Sequence, residues 1–152
     1  MKMNNKGFTL VELLAVLAII AIIGMIAIPN VISVVDNNKK DLMLQDAQKL
    51  VSLAKAKVIQ DREFRDNPND KKRKYTLADL DTKHVLSTDP DGGKYTDYTN
   101  TYVEYTKQTT SSKASGYCVY LEGSKRVVKK SATSSACVPE EQLSDRSHVI
   151  DK

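Results

Sequence analysis

The side chain in the most unusual setting is Glu12, the single charged residue within an apolar run from Phe8 to Ile28. A carboxylate costs about 2.5–3.5 kcal/mol at the centre of a bilayer and less near the interface. An acid in such a run generally has a partner and a role, because an unpaired buried charge is strongly destabilising. The alternative is that Glu12 lies at the interface and reaches water without a partner.

Other residue types that perform catalysis are present, but they are not arranged for it. No nucleophile–base pair, metal-ligand spacing or phosphate-binding glycine loop is recognisable. His84 stands apart from any Cys, Asp or Glu at ligand spacing, which argues against a metal site. Asp89, Asp91 and Asp97 lie in and after a Pro/Gly turn without an EF-hand pattern, so they are expected to form turns rather than bind calcium. We therefore expect no enzyme activity, no metal and no cofactor.

Length and charge limit the remaining classes of protein. The 152 residues leave room for one domain of ordinary size. The net charge of +4 falls to +2 if residues 1–7 are removed, because Lys2 and Lys6 are then lost. Such a mild basic balance argues against a dedicated nucleic-acid binder.

The apolar run is long enough to cross a membrane. As a helix, Phe8 to Ile28 would extend for about 31 Å. Lys2 and Lys6 precede it, and the positive-inside rule then places the N-terminus in the cytoplasm and the rest of the chain outside. A secretory signal peptide fits poorly, because the run is long and no small-residue cleavage site follows it. A plain signal anchor does not account for Glu12.

The residues that open this run resemble the N-terminal signature of type IV prepilins and pseudopilins. The shared elements are a short basic leader that ends in Gly7, then Phe8, then the string Thr9-Leu10-Val11-Glu12 at the start of a hydrophobic helix. Pro29 stands where many type IV pilins carry a proline. The resemblance covers the N-terminal segment only.

The resemblance implies a processing site and an assembly site. A membrane prepilin peptidase would cut between Gly7 and Phe8 and then methylate the new amino group of Phe8. Gly7 has no side chain to obstruct its carbonyl, which suits a cleavage position. Glu12 would pair with the cationic amine of Phe8, in its own chain or in a neighbouring subunit, and so guide each subunit into register.

Beyond Pro29 the sequence predicts that the helix continues as an amphipathic segment. Its apolar residues recur at three- and four-residue steps, at Met43, Ala47, Leu50, Ala54 and Val58. Pro29 lacks an N–H and, together with Gly24, predicts a bend or a weak point in the helix. The resemblance to pilins implies that residues 24–29 can lose helical order in a filament, and a fixed kink is the alternative. The breaker-rich stretch Asp66–Asp70 predicts that the helix ends near Phe64.

The rest of the chain predicts a small antiparallel sheet. Thr76–Leu80 has the capping pattern of a short helix. Thr101–Thr106, Gly116–Leu121 and Lys125–Lys129 have strand composition, and the last two flank a turn at Glu122-Gly123-Ser124. Three or four such strands would pack on the amphipathic half of the helix. No element is predicted in the tail after Cys137.

Cys118 and Cys137 are the two cysteines of the chain. Export would place them in an oxidising compartment, which favours one disulfide over two free thiols. A bridge would tie the C-terminal tail to the sheet, and it would resemble the C-terminal disulfide loop of many pilins.

Two basic runs, Lys71–Lys74 and Lys125–Lys130, keep weak DNA binding open as an additional function. The first run follows the breaker cluster and is expected to be a solvated loop, as most such runs are. Retention of DNA that weakens with salt would support this function.

Together these patterns predict an α+β fold. Its parts are a leader peptide (1–7), a transmembrane and filament-core helix (8–28), the amphipathic continuation (29–64) and a globular head (65–152). The resemblance implies a structural subunit of a type IV pilus, a self-assembling filament for adhesion, motility or surface attachment. A pseudopilin of a type II secretion or competence DNA-uptake system is the alternative. The subunit would span the membrane once before the pilus assembly machinery transfers it to a surface filament.

Overall fold

A computed structural model of the chain describes residues 9–82, 86–95, 100–108 and 116–152, apart from the side chains of Pro29 and Asn30. The chain divides into two compact units, the first ending at Asn37 and the second running from Asn38 to Lys152. The first unit contains the N-terminal part of one long helix. The second unit contains the rest of that helix and all later elements.

Helices and antiparallel strands follow one another in the order of an α+β fold, which confirms the predicted class. The described helices are α1 (Leu10–Gln60), α2 (Arg62–Asp66) and α3 (Leu77–Leu80). The described strands are β1 (Lys72–Thr76), β2 (Tyr102–Thr106), β3 (Gly116–Glu122), β4 (Arg126–Val128), β5 (Val138–Pro139) and β6 (Val149–Asp151). Two short 3₁₀ helices, Glu140–Gln142 and Arg146–His148, lie in the C-terminal tail.

The strands form one antiparallel sheet in the order β1-β2-β3-β4-β6, with β5 paired to β3. The predicted hairpin is present, because β3 pairs with β4 through Leu121 opposite Val128. The register of the first three strands places Tyr75, Val103 and Val119 side by side, and all three are buried. One face of the sheet therefore meets the core.

Three strands lie where the sequence predicted none. The basic run Lys71–Lys74 was expected to be a loop, and this was wrong, because Lys72–Thr76 forms edge strand β1. Tyr75 is the buried anchor of this strand, whereas Lys72 and Lys74 are exposed. Lysines on an edge strand discourage pairing with further chains, so a basic composition is compatible with a strand at this position. Strands β5 and β6 occupy the tail that had no predicted element.

The predicted amphipathic stripe of α1 packs against the sheet within the second unit. Its core residues are Met43, Leu44, Ala47, Leu50, Val51 and Ala54, and each is at most 4% exposed. They share one apolar cluster with sheet residues such as Val103, Val119 and Leu121. Ala47 and Ala54 have no exposed surface, and their small side chains let the backbones of helix and sheet approach. Each fully buried Leu or Val contributes about 1.5–3 kcal/mol.

The long helix ends at Gln60, before the predicted end near Phe64, and the chain restarts as α2. Asp61 caps this second helix, because its Oδ1 accepts the N–H of Phe64 at 3.1 Å. This break carries Phe64 into a fully buried position, where its ring meets Tyr105 edge-on with centroids 5.9 Å apart. The Lys107 ammonium donates to the Phe64 carbonyl and lies 4.1 Å from the Phe64 ring centroid.

The predicted short helix is confirmed by a reciprocal cap at its start. The N–H of Asp79 donates to Thr76 Oγ1 at 3.3 Å, and the N–H of Thr76 donates to Asp79 Oδ2 at 3.0 Å. The Thr76 hydroxyl also donates to Asp79 Oδ2, at 2.7 Å. This capping box satisfies donors that a helix terminus otherwise leaves unpaired.

The predicted turn at residues 89–93 is organised by the buried Asp89 carboxylate. Its Oδ1 accepts the N–H groups of Asp91 and Gly93, each at 2.9 Å, and its Oδ2 accepts the N–H of Ser124 at 2.5 Å. Gly92 has a φ of 85°, a left-handed conformation that glycine adopts without strain. Burial alone would raise the pKa of Asp89, but the hydrogen bonds from Ser124, Gly93 and Asp91 outweigh it and hold the pKa below its usual range. The carboxylate therefore joins this turn to the β3–β4 turn.

The next acid, Asp91, holds together three parts of the second unit. It pairs with Arg126 of β4 at 3.0 Å and with Lys39 of α1 at 3.2 Å, and its side chain is 4% exposed. Arg126 also pairs with Asp151 of β6 at 2.9 Å. The carboxylates of Asp89 and Asp91 thus bind groups of their own chain, while Asp97 lies outside the described residues.

The expected disulfide is present between Cys118 of β3 and Cys137, with Cα atoms 5.4 Å apart. A second link fastens the tail to α1, because the Arg146 guanidinium forms two hydrogen bonds with the Asp41 carboxylate at 2.5 and 2.6 Å. The tail is therefore an ordered part of the second unit.

Removal of the disulfide in the double variant Cys118→Ser/Cys137→Ser should lower the free energy of unfolding by about 3 kcal/mol, because the unfolded chain regains the entropy of an open loop. Thermal unfolding of the full chain in detergent, followed by tyrosine circular dichroism, measures this loss. Reductant should lower the Tm of the native chain and leave that of the double variant unchanged. A native chain whose Tm is insensitive to complete reduction would contradict the expectation.

Substitution Asp89→Asn should destabilise the second unit by about 1.5–3 kcal/mol at neutral pH, because hydrogen bonds to a charged acceptor are lost and an amide N–H₂ meets backbone donors. The folded-state pKa of Asp89 is lowered, so its stabilisation is complete above the ordinary aspartate pKa of about 3.9 and is lost as the pH falls further. Urea unfolding at several pH values should show the difference from the native chain shrinking below about pH 4.

The exposed acid Glu141 provides the matched control, because Glu141→Gln removes one carboxylate without disturbing the turn. A difference between native chain and Asp89→Asn that stays constant down to the lowest pH would contradict the role of the Asp89 charge.

Candidate functional site

The first turn of α1 holds Glu12 through a reciprocal cap with Thr9. The N–H of Thr9 donates to Glu12 Oε2 at 2.8 Å, and the Thr9 hydroxyl donates to the same oxygen at 3.0 Å. In return, the N–H of Glu12 donates to Thr9 Oγ1 at 3.3 Å. The Thr9 carbonyl accepts the N–H of Leu13 at 3.2 Å, which makes Thr9 the N-cap of the helix.

This cap gives the carboxylate of Glu12 partners within its own chain. A negative charge in the first turn also lies at the favourable end of the helix dipole. For Glu12 we expected either a cationic partner or contact with water, and its contact with Thr9 was missed. The signal was available, since Thr-x-x-Glu directly before an apolar run is the pattern of a capping box.

The predicted processing residues, Gly7 and Phe8, lie outside the described residues. Cleavage between them and methylation of Phe8 stay predictions. The structure places the Thr9–Glu12 cap immediately after this position in the chain.

Apolar side chains cover α1 on every side between Leu10 and Val35. The large ones range from 46% exposed at Val35 to 79% at Met25, so no face of this segment is covered within the described chain. A helix that is hydrophobic all round belongs in lipid or among other helices. By length and composition α1 can cross a membrane, although no bilayer surrounds it in this structure.

The backbone of α1 is helical through Pro29 without interruption. Proline has no N–H to donate to the carbonyl four residues earlier, which is that of Met25. The helix is thus continuous at the point where the sequence predicts a kink or a loss of order. That behaviour stays a prediction for the assembled state.

Several acidic and cysteine side chains of the second unit have structural roles. Across residues 9–82, 86–95, 100–108 and 116–152, no group of three or more His, Cys, Asp or Glu side chains is placed to hold a metal ion. Cys118 and Cys137 are joined to each other. His84 lies outside the described residues. The Thr9–Glu12 cap and the exposed apolar surface of α1 therefore form the candidate functional site.

Comparison with known proteins bears on this same segment. Residues 2–28 match the model of the prokaryotic N-terminal methylation motif, and the match includes Gly7, Phe8 and the Thr9–Glu12 cap. No curated protein and no solved structure matches the chain. The chain therefore carries, at residues 2–28, the signature of type IV prepilins, the precursors of pilin-like and pseudopilin proteins.

Proposed function

We propose that the chain is a structural, non-catalytic subunit of a type IV pilus, which assembles with copies of itself through the N-terminal part of α1. The observation that carries this proposal is the exposed apolar surface from Leu10 to Val35, directly after a prepilin motif. Lipid covers this surface before assembly, and the equivalent helices of neighbouring subunits cover it in the filament.

The subunit is inserted once in the membrane with its N-terminus in the cytoplasm. Prepilin peptidase removes residues 1–7 by cutting between Gly7 and Phe8, and it methylates the Phe8 amine. The pilus assembly machinery then moves the subunit from the membrane into a filament at the cell surface. Residues 65–152 serve adhesion, motility or surface attachment.

Glu12 has two successive partners in this scheme. In the membrane, the donors of Thr9 satisfy its carboxylate and lower the cost of holding it at the edge of the apolar core. Both donors bind Oε2, and a carboxylate has about four lone-pair sites, so it can accept a further donor at the same time. In the filament that donor is the cationic Phe8 amine of a neighbouring subunit.

This pairing selects the register of assembly. An attraction between opposite charges is much stronger in an apolar filament core than in water. A subunit inserted at the wrong height leaves both charges without a partner, and an unpaired buried charge costs about 3–5 kcal/mol. The two charges therefore favour the one arrangement that brings them together.

The prepilin signature is common to pilins and pseudopilins, so it does not separate a pilus from a pseudopilus. The Cys118–Cys137 bridge supports the pilus, because it resembles the C-terminal disulfide loop of many pilins. A pseudopilin of a secretion or DNA-uptake system stays the alternative. Electron microscopy of cells that produce the chain separates the two, since a pilus forms long surface fibres.

Processing should be visible in the intact mass of the chain extracted from membranes after co-expression with a prepilin peptidase. We expect the loss of residues 1–7, the gain of one methyl group and the loss of the two hydrogens of the disulfide. An uncut chain would contradict the proposal and point to a simple signal anchor. The variant Gly7→Val is the matched control, since a side chain at the cut should block processing.

Substitution Glu12→Gln should leave the cut at Gly7–Phe8 intact and lower the yield of filaments about tenfold or more, because the Phe8 amine then lacks its counter-charge. Thr9→Val should also lower the yield of filaments, since it removes the hydroxyl that holds Glu12. Thr9→Ser keeps the hydroxyl and should give the native yield. Sheared filaments and membrane-bound subunit are quantified separately. Normal filament yield from Glu12→Gln would contradict the assembly role of Glu12.

A further inference from the structure

The face of the sheet that points away from α1 carries two stacked aromatic rings and a lysine. Tyr102 of β2 and Tyr120 of β3 lie directly opposite each other, with ring centroids 5.7 Å apart and planes inclined by 14°. Lys74 of β1 places its Nζ 4.4 Å from the centroid of the Tyr102 ring. The neighbouring residues Val103 and Val119 point the other way and are completely buried. A cation and two rings thus form a column on the outer face of the second unit.

A cleft of about 350 Å³ opens beside this column. Asn100, Tyr102, Tyr120 and Ser135 line it. The disulfide positions its far side, because Cys118 lies two residues before Tyr120 and Ser135 lies two residues before Cys137. The cleft is large enough for a planar ring to enter beside the tyrosines.

The charge around the column is positive. Lys71, Lys72 and Lys74 are exposed along or just before edge strand β1. The acids of this face are both paired with lysines, Glu104 with Lys72 at 3.1 Å and Glu122 with Lys152 at 2.7 Å. Lys74 contacts a ring instead of a carboxylate, so it can bind an anion that approaches the column.

In the second basic run, residues 125–130, two of the cations are bound to oxygen atoms of the chain instead of to an aromatic ring. Within residues 125–130, Arg126 is bound to Asp91 and Asp151. Lys129 donates to the carbonyl of Ala132 at 3.1 Å. Positive charge is therefore combined with half-buried, stacked tyrosines at β1–β3 and not at β4.

We propose that this outer face, formed by Lys74, Tyr102, Tyr120, Asn100 and Ser135, is a binding site for single-stranded nucleic acid. One base stacks on the Tyr120 ring at the cleft, and the adjoining phosphates contact Lys74 and its neighbours on β1. Stacking on aromatic side chains suits every base, so the site selects little sequence. A duplex keeps its base faces covered and fits less well. This binding goes beyond the proposed filament function and does not depend on assembly.

The test measures binding of a fluorescein-labelled oligothymidylate to the full chain in non-ionic detergent by fluorescence anisotropy, at about 50 mM and about 200 mM salt. The variant Tyr120→Thr keeps strand propensity but lacks the ring, and we expect it to weaken binding roughly 5- to 100-fold. Tyr120→Phe keeps the stacking surface and should bind like the native chain. Thermal unfolding shows whether each variant is folded.

Lysine variants test the charge, and they stay informative if Tyr120→Thr does not fold. Lys74→Gln should reduce the slope of log affinity against log salt by about 0.7, the value of one phosphate contact on a single strand. Lys57→Gln removes an exposed lysine of α1, on the other side of the sheet, and should leave the slope unchanged. These four results together would support the site.

Several outcomes would overturn the proposal. One is the absence of oligothymidylate binding at the lower salt concentration. A second is equal loss of affinity or slope in Lys74→Gln and Lys57→Gln, which would mean diffuse attraction to the whole surface. A third is equal binding of a duplex. A fourth is binding of neutral oligosaccharides in place of the oligonucleotide, which would assign the cleft to sugar rings.

Discussion

The constraint on which the chain depends is that the apolar part of α1 must be covered, together with the one carboxylate within it. Water cannot cover this surface at an acceptable free energy, so lipid or other helices must do so. Glu12 adds a requirement to whatever covers this surface, because the carboxylate must keep polar partners in the apolar environment. Thr9 provides such partners within the same chain. The prepilin motif includes this pair. The proposed cleavage between Gly7 and Phe8 would create a new cation beside it, and the same carboxylate would then serve in assembly.

Within the second unit, one helix stripe organises the rest of the structure. Ala47 and Ala54 let α1 approach the sheet, and Leu50 fills the interface between them. The sheet is then held at its ends by polar links: Asp89 joins two turns, and Asp91 joins α1, β4 and, through Arg126, β6. With its inner face committed to the core, the sheet presents its outer residues to solvent. The stacked tyrosines and Lys74 lie on that outer face because strand alternation puts them there.

An element could be predicted from the sequence where one local rule determined its structure. It was missed where contacts between distant parts of the chain determined it. The amphipathic stripe of α1, the Thr76 cap and the β3–β4 hairpin followed from periodicity, capping chemistry and turn composition. The disulfide followed from the expectation that the head is exported. Strand β1 did not, because its only apolar anchor is Tyr75 and its pairing with β2 across a long connection supplies the order. The order of the tail was also missed because it depends on a contact between distant parts of the chain, the ion pair of Arg146 with Asp41. At the N-terminus, the motif singled out Glu12, whose role in assembly stays a prediction. Its partner Thr9 was overlooked, although the capping pattern was present.

Electron cryomicroscopy of the fibres that we propose this chain forms is the most direct test of its assembly through α1. If the apolar part of α1 drives assembly, the fibre core should consist of α1 helices whose residues from Leu10 to Val35 are buried against one another. The Glu12 carboxylate should lie within ion-pair distance of the Phe8 amine of a neighbouring subunit, with residues 1–7 absent. Fibres in which Leu10 to Val35 stay exposed, or in which Glu12 has no cation nearby, would contradict this account.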